Sequence, residues 1–343
     1  MRSPGTTSPV GETQPGTPLR EALRYALRTP TVGPLTALAA AVLVFSLTSD
    51  TFMTPGNLSL VLQQTIVIGT LALGQSLIIL TAGIDLANGA IAVLGTIVMA
   101  KIVFEGGSPA AALLLGLFVA TFLGLVNGLL VAGLELPPFI VTLGALSVVY
   151  ATSRLYSGSR NYPVTSDLLD FWGHGVHLGG VLVTWGTFLL LGLYAVFWYV
   201  LTKTGWGRHI YAAGDAPESA RLTGINVRRT ILSVYVIAGL LYGIAAWQAL
   251  GRIPNADPNT YQTANLESIT AVVIGGTSLF GGRGSVVGTL IGALIVNVLR
   301  SGLTQAGIDS LYQDIATGTL VVVAVGVDKV LRRGGRGGRG GRR

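Results

Sequence analysis

The sequence predicts an all-α polytopic membrane protein with about ten transmembrane helices, both termini cytoplasmic, and one short broken or re-entrant helix near 268–280. Three observations carry that expectation. Of the 343 residues 50% are hydrophobic and only 11% charged, too few charges to solvate the surface of a water-soluble globule. Apolar runs of about 20 residues, the length that a hydrocarbon core roughly 30 Å thick demands of a helix, recur almost end to end. Lys and Arg fall unevenly between the resulting loops, an asymmetry that sets orientation.

The chain opens with MRSPGTTSPVGETQPGT, rich in Pro, Gly, Ser and Thr and without an apolar core. It reads as a disordered arm that is not cleaved, since a secretory signal needs a continuous apolar stretch. In the following PLREALRYALRT, Leu19, Leu23 and Leu27 share one helical face and Arg20, Arg24 and Arg28 the next. This spacing suggests a short amphipathic helix on an anionic membrane surface, with a solvated linker helix as the alternative. Residues 1–30 thus form a cytoplasmic arm.

A transmembrane domain over 31–331 follows. Apolar length and helix breakers place spans near 33–49, 58–81, 86–104, 109–133, 137–153, 181–201, 230–250, 268–280, 285–299 and 311–328. With the N-terminus inside and ten crossings, the inner segments hold Arg20, Arg24, Arg28, Lys203, Arg208, Arg221, Arg228, Arg229, Arg283, Lys329 and the tail arginines. Only Lys101, Arg154, Arg160, Arg252 and Arg300 fall outside. An odd number of crossings would expose either the basic arm or the basic tail, so an even number fits.

Small residues recur every four positions at Gly116, Ala120, Gly124 and Gly128, at Gly239 and Gly243, and at Gly284, Gly288 and Gly292. Such rows let helix backbones approach closely, as helices must in lipid, and point to a compact bundle. The tail at 332–343, RRGGRGGRGGRR, has no aromatic residue for base stacking. Attraction to anionic lipid headgroups explains it better than nucleic-acid binding.

Enzyme signatures are nearly absent. The three histidines, His174, His177 and His209, stand with no carboxylate at metal-ligand spacing on one helix, so no metal site is expected. No G-x-x-x-x-G-K-[ST] occurs, and FGGRGSVVG has the spacing G-x-G-x-x-x-G with no strand before it. No cofactor is expected in this chain, and nucleotide energy has to come from another polypeptide.

Two stretches carry possible chemistry. TAGIDLANGA places Asp85 alone in a run otherwise uncharged from Thr51 to Ala100. An ionised acid in mid-bilayer costs at least a few kcal/mol and marks a route for solute, whereas at the membrane edge it caps a helix beginning at Leu86. The length of the preceding span favours the cap near the cytoplasmic side, with Gly83 making the break. A solute pathway draws on Gln63, Gln64, Asp85, Asn88, Asn127 and Glu267, with Gln75, Thr142 and Asn297 as weaker polar candidates; each is also able to bond a neighbouring helix. SITAVVIGGTSLF is too short to cross, about 20 Å as a helix, and so reads as a broken element buried in protein.

The second stretch is the loop 202–229. Its centre, Pro217 to Leu222, reads as a short helix with Asp215 at its cap and Pro217 at its first position. Gly214 and Gly224 bracket it. It is either a polar connection or a rigid knob for a cytoplasmic partner.

Glu218-Ser219-Ala220 followed by Gly224 resembles the E-A-A-x-x-x-G coupling loop of ABC importer permeases, and GDAPESARLTGINVRR is similar to their ribose/xylose-type sugar branch. TAGIDLANGA and AVVIGGTSLFGGRGSVVGTLIGA resemble two further segments of that family, and the similarity runs from Phe52 to Asp328. Ser219 replaces the usual Ala, and Asn265 and Glu267 stand where a Glu and an Asp are common.

The resemblance implies a permease subunit of the prokaryotic cytoplasmic membrane that imports a monosaccharide, such as a pentose. It implies a homodimer or a heterodimer with a related permease, two cytoplasmic ABC ATPase subunits and an extracytoplasmic sugar-binding protein. Asp215, Pro217, Glu218, Ser219, Ala220, Arg221 and Gly224 then form the coupling element, with Glu218 and Arg221 docking into the ATPase. The competing classes are an ion-coupled secondary transporter using Asp85 or Glu267 and a passive channel.

Overall fold

The computed structural model describes residues 31–319 together with Val322 and Gly326. The expected arm at 1–30 with its amphipathic helix and the tail at 332–343 lie outside the described residues.

The described chain is a bundle of helices. Six are long and apolar enough to cross a membrane: α2 (Pro55–Leu80), α4 (Pro109–Gly128, continued by a π-helical turn over Leu129–Gly133), α5 (Pro138–Ser157), α7 (Trp185–Lys203), α10 (Val227–Arg252) and α12 (Val286–Gln305). Three shorter apolar helices join them: α1 (Val32–Thr48), α3 (Asn88–Phe104) and α11 (Ala264–Ile274). The first nine expected segments each overlap one of these nine helices, and a further helix begins at 310–319 within the described residues. The remaining helices are short connectors: α6 (Asp167–Asp170) with a 3₁₀ turn at Phe171–Gly173, α8 (Gly205–Asp215) and α9 (Pro217–Leu222).

Helix starts follow local chemistry. Pro55, Pro109 and Pro138 each open a helix, where a missing N–H costs nothing. The Thr54 hydroxyl accepts from Asn57 N at 3.4 Å, and the Asn226 side chain accepts from Arg229 N at 3.0 Å. Both are N-caps that satisfy donors otherwise left open.

Three boundaries differ from expectation. The span placed at 181–201 starts at Trp185, because Val181–Thr184 (β3) pairs antiparallel with Gly175–Leu178 (β2) around a turn at Gly179 and Gly180. Tyr162–Pro163 (β1) pairs with Asn255–Ala256 (β4). The element placed at 268–280 is the eleven-residue α11, which rises only about 16 Å, and residues 275–285 beyond it are irregular. Gly284, counted in a helical row, lies in this irregular stretch. Gly205 to Asp215, read as loop, is helical because Gly207, Ile210, Ala213 and Gly214 form one buried face.

α10 is the central element, packed on α4, α2 and α3. The small-residue rows do what their spacing suggests: Gly124 of α4 sits against Gly239 of α10, and Gly275 with Gly288 and Ala271 with Gly292 bring α11 and α12 into backbone contact. At one end of the bundle Asn57 Oδ1 accepts from Ser301 Oγ (2.7 Å) and Gln305 Nε2 (3.0 Å), tying the start of α2 to the end of α12. At the other, Gly282 N donates to Leu80 O at 3.0 Å, and α8 packs by Gly214 on the same carbonyl. A side chain at Gly281 would collide there with Ala82 and Gly214, and its φ of +78° belongs to glycine.

Candidate functional site: a polar cavity opposite an exposed short helix

A cavity of about 360 Å³ opens between α2, α10, α11 and α12, at the end of the bundle away from α9. Pockets that enclose small molecules start at about 300 Å³. Its lining combines Gln64 of α2, Asn297 and Arg300 of α12, Glu267 of α11, and Arg252 and Asp257 around the α10–α11 connection. Ile68, also in the lining, lies thirteen residues beyond Pro55, so the cavity reaches about 20 Å down α2.

Beneath the cavity lies a second, closed polar cluster. α3 and α11 both begin inside the bundle, and their N-termini meet. Asn88 Nδ2 donates to Ser268 Oγ at 2.7 Å, and Asn265 Nδ2 donates to Leu86 O at 3.2 Å. Asn88 Oδ1 accepts from Gly89 N at 2.6 Å and Asp85 Oδ1 from Ala87 N at 2.7 Å. Free backbone N–H groups at two buried helix starts need acceptors, and these side chains supply them. With its amide turned to satisfy its surroundings, Gln75 of α2 bonds both the N–H and the C=O of Asp85.

Asp85 therefore sits elsewhere than its sequence suggested. It is 1% exposed and level with Gln75, about 8 Å inside the Leu80 end of α2. α3 begins at Asn88 with Ala87 as its N-cap and no side-chain cap, so Asp85 holds the turn before the helix instead of capping one at Leu86. The left-handed residue at the break is Ala82 (φ +62°), not Gly83.

Of the expected pathway residues, Gln64 and Glu267 line the cavity. Asp85 and Asn88 belong to the cluster below it. Asn127 is buried on α4, its Nδ2 without a hydrogen-bond partner among the described residues. Gln63 is half-buried on α2 outside the lining. Arg252 and Arg300, counted from the sequence only as outside cations, also line the cavity, as does Asp257, to which the sequence assigned no role. The available signal was that Arg300 is the single cation between Arg283 and Lys329, and Glu267 the single acid between Asp257 and Asp309.

At the opposite end α9 stands out from the bundle. Pro217 opens it and Ala220 buries against α8 and Val227. Glu218, Ser219, Arg221 and Gly224 are exposed, and Leu222 is 90% exposed. Asp215 closes α8, and Ala216 is the N-cap of α9 without a side-chain bond, so the expected cap by Asp215 is not formed. Arg221 Nη1 donates to Glu218 Oε1 at 2.9 Å. Beside them Arg228 Nη2 donates to Glu135 Oε1 at 2.6 Å, joining the α4–α5 loop to the start of α10. Arg228 hydrogen-bonds the Glu135 carboxyl and holds it below its ordinary value of 4.5.

Residues 57–325 match the family model described as "Branched-chain amino acid transport system / permease component". The chain is 42% identical over 311 residues to the fructose import permease protein of Rhizobium meliloti, covering 89% of this chain and 86% of that one. It is 36% identical over 302 residues to the ribose import permease protein of Bacillus subtilis, covering 87% and 92%. It is 32% identical over 317 residues to the D-allose transport system permease protein of Escherichia coli, covering 92% and 96%. With the family match spanning most of the bundle and the cavity inside it, the chain belongs to the permease-component family of such transport systems and is a multi-pass protein of the cytoplasmic membrane, a transport subunit and not an enzyme.

Proposed function

We propose that this chain is the membrane-spanning subunit of an ATP-binding-cassette importer for a monosaccharide, crossing the bilayer ten times with both termini in the cytosol. The α9 end then faces the cytosol and the 360 Å³ cavity faces the outside. The exposed six-residue α9 is the observation that carries this reading. It is short and bracketed by backbone turns, and it is seated on α8, which packs on the end of α2. A push on α9 is therefore delivered to the helix that lines the cavity.

In this reading Asp215 through Gly224 dock on a cytoplasmic ATPase, and Glu218, Arg221 and Leu222 make the contact. A sugar released by an extracytoplasmic binding protein enters the cavity past Gln64 and Glu267, while the Asp85–Asn88 cluster closes the way below. The subunit works as a dimer with itself or with a related permease. Each carboxyl that ion coupling would use has one oxygen engaged: Asp85 Oδ1 accepts from Ala87 N, and Glu267 Oε1 is paired with Arg300.

Co-purification tests the reading. The permease is expected to retain its ATPase in detergent, with ATP hydrolysis stimulated by the sugar-loaded binding protein. A permease that binds no ATPase would overturn it.

A further inference from the structure

Glu267 and Arg300 form an ion pair that joins α11 to α12 within the cavity wall. The Glu267 side chain is 6% exposed and that of Arg300 36%, so the carboxylate is sunk in the wall while the guanidinium reaches the cavity. Arg300 Nη1 donates to Glu267 Oε1, and Thr263 Oγ1 donates to the same oxygen at 3.0 Å. Among the described residues no hydrogen bond reaches Oε2, and the guanidinium uses a single N–H. Its other donors lie in the fixed plane of the fork.

Packing does not require this pair. α11 and α12 already touch backbone to backbone at Gly275–Gly288 and Ala271–Gly292. Sinking a carboxylate into a protein interior is expensive even when it is paired, and the Glu267 side chain is the sunken member. Gln64, on the facing helix, has its Oε1 without a hydrogen-bond partner among the described residues.

A hydroxyl group both donates and accepts. A free carboxylate oxygen beside unused planar N–H donors therefore fits two adjacent hydroxyls, one donating to Glu267 and its neighbour accepting from Arg300. The lining carries Arg252 and Arg300 against Asp257 and Glu267, so its formal charges cancel. An anionic solute gains no net attraction there and meets two carboxylates.

We propose that Glu267 and Arg300 form a hydroxyl-binding station that receives an uncharged sugar by a vicinal diol and disfavours sugar acids. The station rests on the importer reading above and adds to it the chemistry of the ligand and Arg300 as its second member.

The chain contains no cysteine, so Thr260→Cys places its sole thiol on the cavity lining. Alkylation of this thiol by a small water-soluble maleimide is measured in the assembled complex, with fructose, ribose or gluconate present. Fructose or ribose is expected to slow labelling about threefold, as when roughly two thirds of sites are occupied, and gluconate to leave it unchanged. Adding Glu267→Gln or Arg300→Gln is expected to abolish the protection while sugar-free labelling stays as before. Equal protection in those variants, protection by gluconate, or no protection in the Thr260→Cys complex overturns the station. If a double variant fails to assemble, the sugar-against-gluconate comparison in the single variant still decides. ATP-driven uptake by the same preparation separates the two proposals. Uptake without protection sinks the station alone, whereas absence of uptake sinks the importer reading.

Discussion

A Cβ placed on Gly124 of α4 would lie 2.5 Å from Tyr235 O and 2.9 Å from Gly239 Cα of α10. The two helices cross at backbone contact, and neither glycine has room for a side chain. In lipid this close approach stands in for the hydrophobic drive that packs helices in water.

Gly124→Val is therefore expected to destabilise the detergent-solubilised protein by about 1–3 kcal/mol through overpacking. Gly144, with open space around its Cα, serves as the control, and Gly144→Val should cost much less. Thermal unfolding followed by circular dichroism checks both. Equal melting temperatures for the two variants would refute the crossing.

Exchanging the charges of α9, Glu218→Arg with Arg221→Glu, preserves the i,i+3 pair inside the helix. An exposed pair of this kind is worth no more than about 1 kcal/mol, so the fold should be unchanged. Affinity for the ATPase is expected to fall at least about tenfold, the consequence of losing 1.4 kcal/mol. Leu222→Ala, removing a 90% exposed apolar tip, should weaken the same association. Unchanged affinity in both variants would remove α9 from the contact.

Asp85 acts as an acceptor for Ala87 N, so Asp85→Asn, which keeps an oxygen at that position, is expected to melt near the wild-type temperature. Asp85→Ala leaves a buried N–H unpaired and should cost about 1–3 kcal/mol. If Asn proves as damaging as Ala, the charge matters and not the acceptor.

The Glu135 carboxyl titrates below its ordinary 4.5 because Arg228 holds it. A depressed carboxyl favours the folded state above its unfolded value and loses that contribution as pH falls through the folded one. The Glu135–Arg228 tie should thus persist at neutral pH and release only below pH 4.5. Arg228→Ala is expected to return the Glu135 titration to the ordinary range, as read by carboxyl chemical shifts. A titration unaffected by Arg228→Ala would show that the pair does not form.

Much of this architecture was legible in the sequence, for a physical reason. A helix in lipid must be long, apolar and internally bonded, so α2, α4 and α10 announce themselves by composition. The α9 helix was legible from Pro217, and the close crossings from the spacing of Gly116, Gly124 and Gly239. The depth of Asp85 was not. Length arithmetic carried the chain to the membrane edge, whereas the turn at Ala82 folds it back along α2 to Gln75. The cavity was hidden for a related reason. Its cations, Arg252 and Arg300, fall just past the expected spans 230–250 and 285–299 and count there as outside charges, whereas α10 runs to Arg252 and α12 to Gln305, which brings both into the cavity wall with Glu267.

The central claim is that work done by an ATPase at α9 moves sugar through the bundle. Uptake of radiolabelled sugar into proteoliposomes tests it most directly, with the permease, the ATPase and the binding protein present together. Accumulation is expected only with all three and ATP inside the assay on the α9 side, and is expected to stop with vanadate. Accumulation by the permease alone, driven by an ion gradient or by none, would contradict the account.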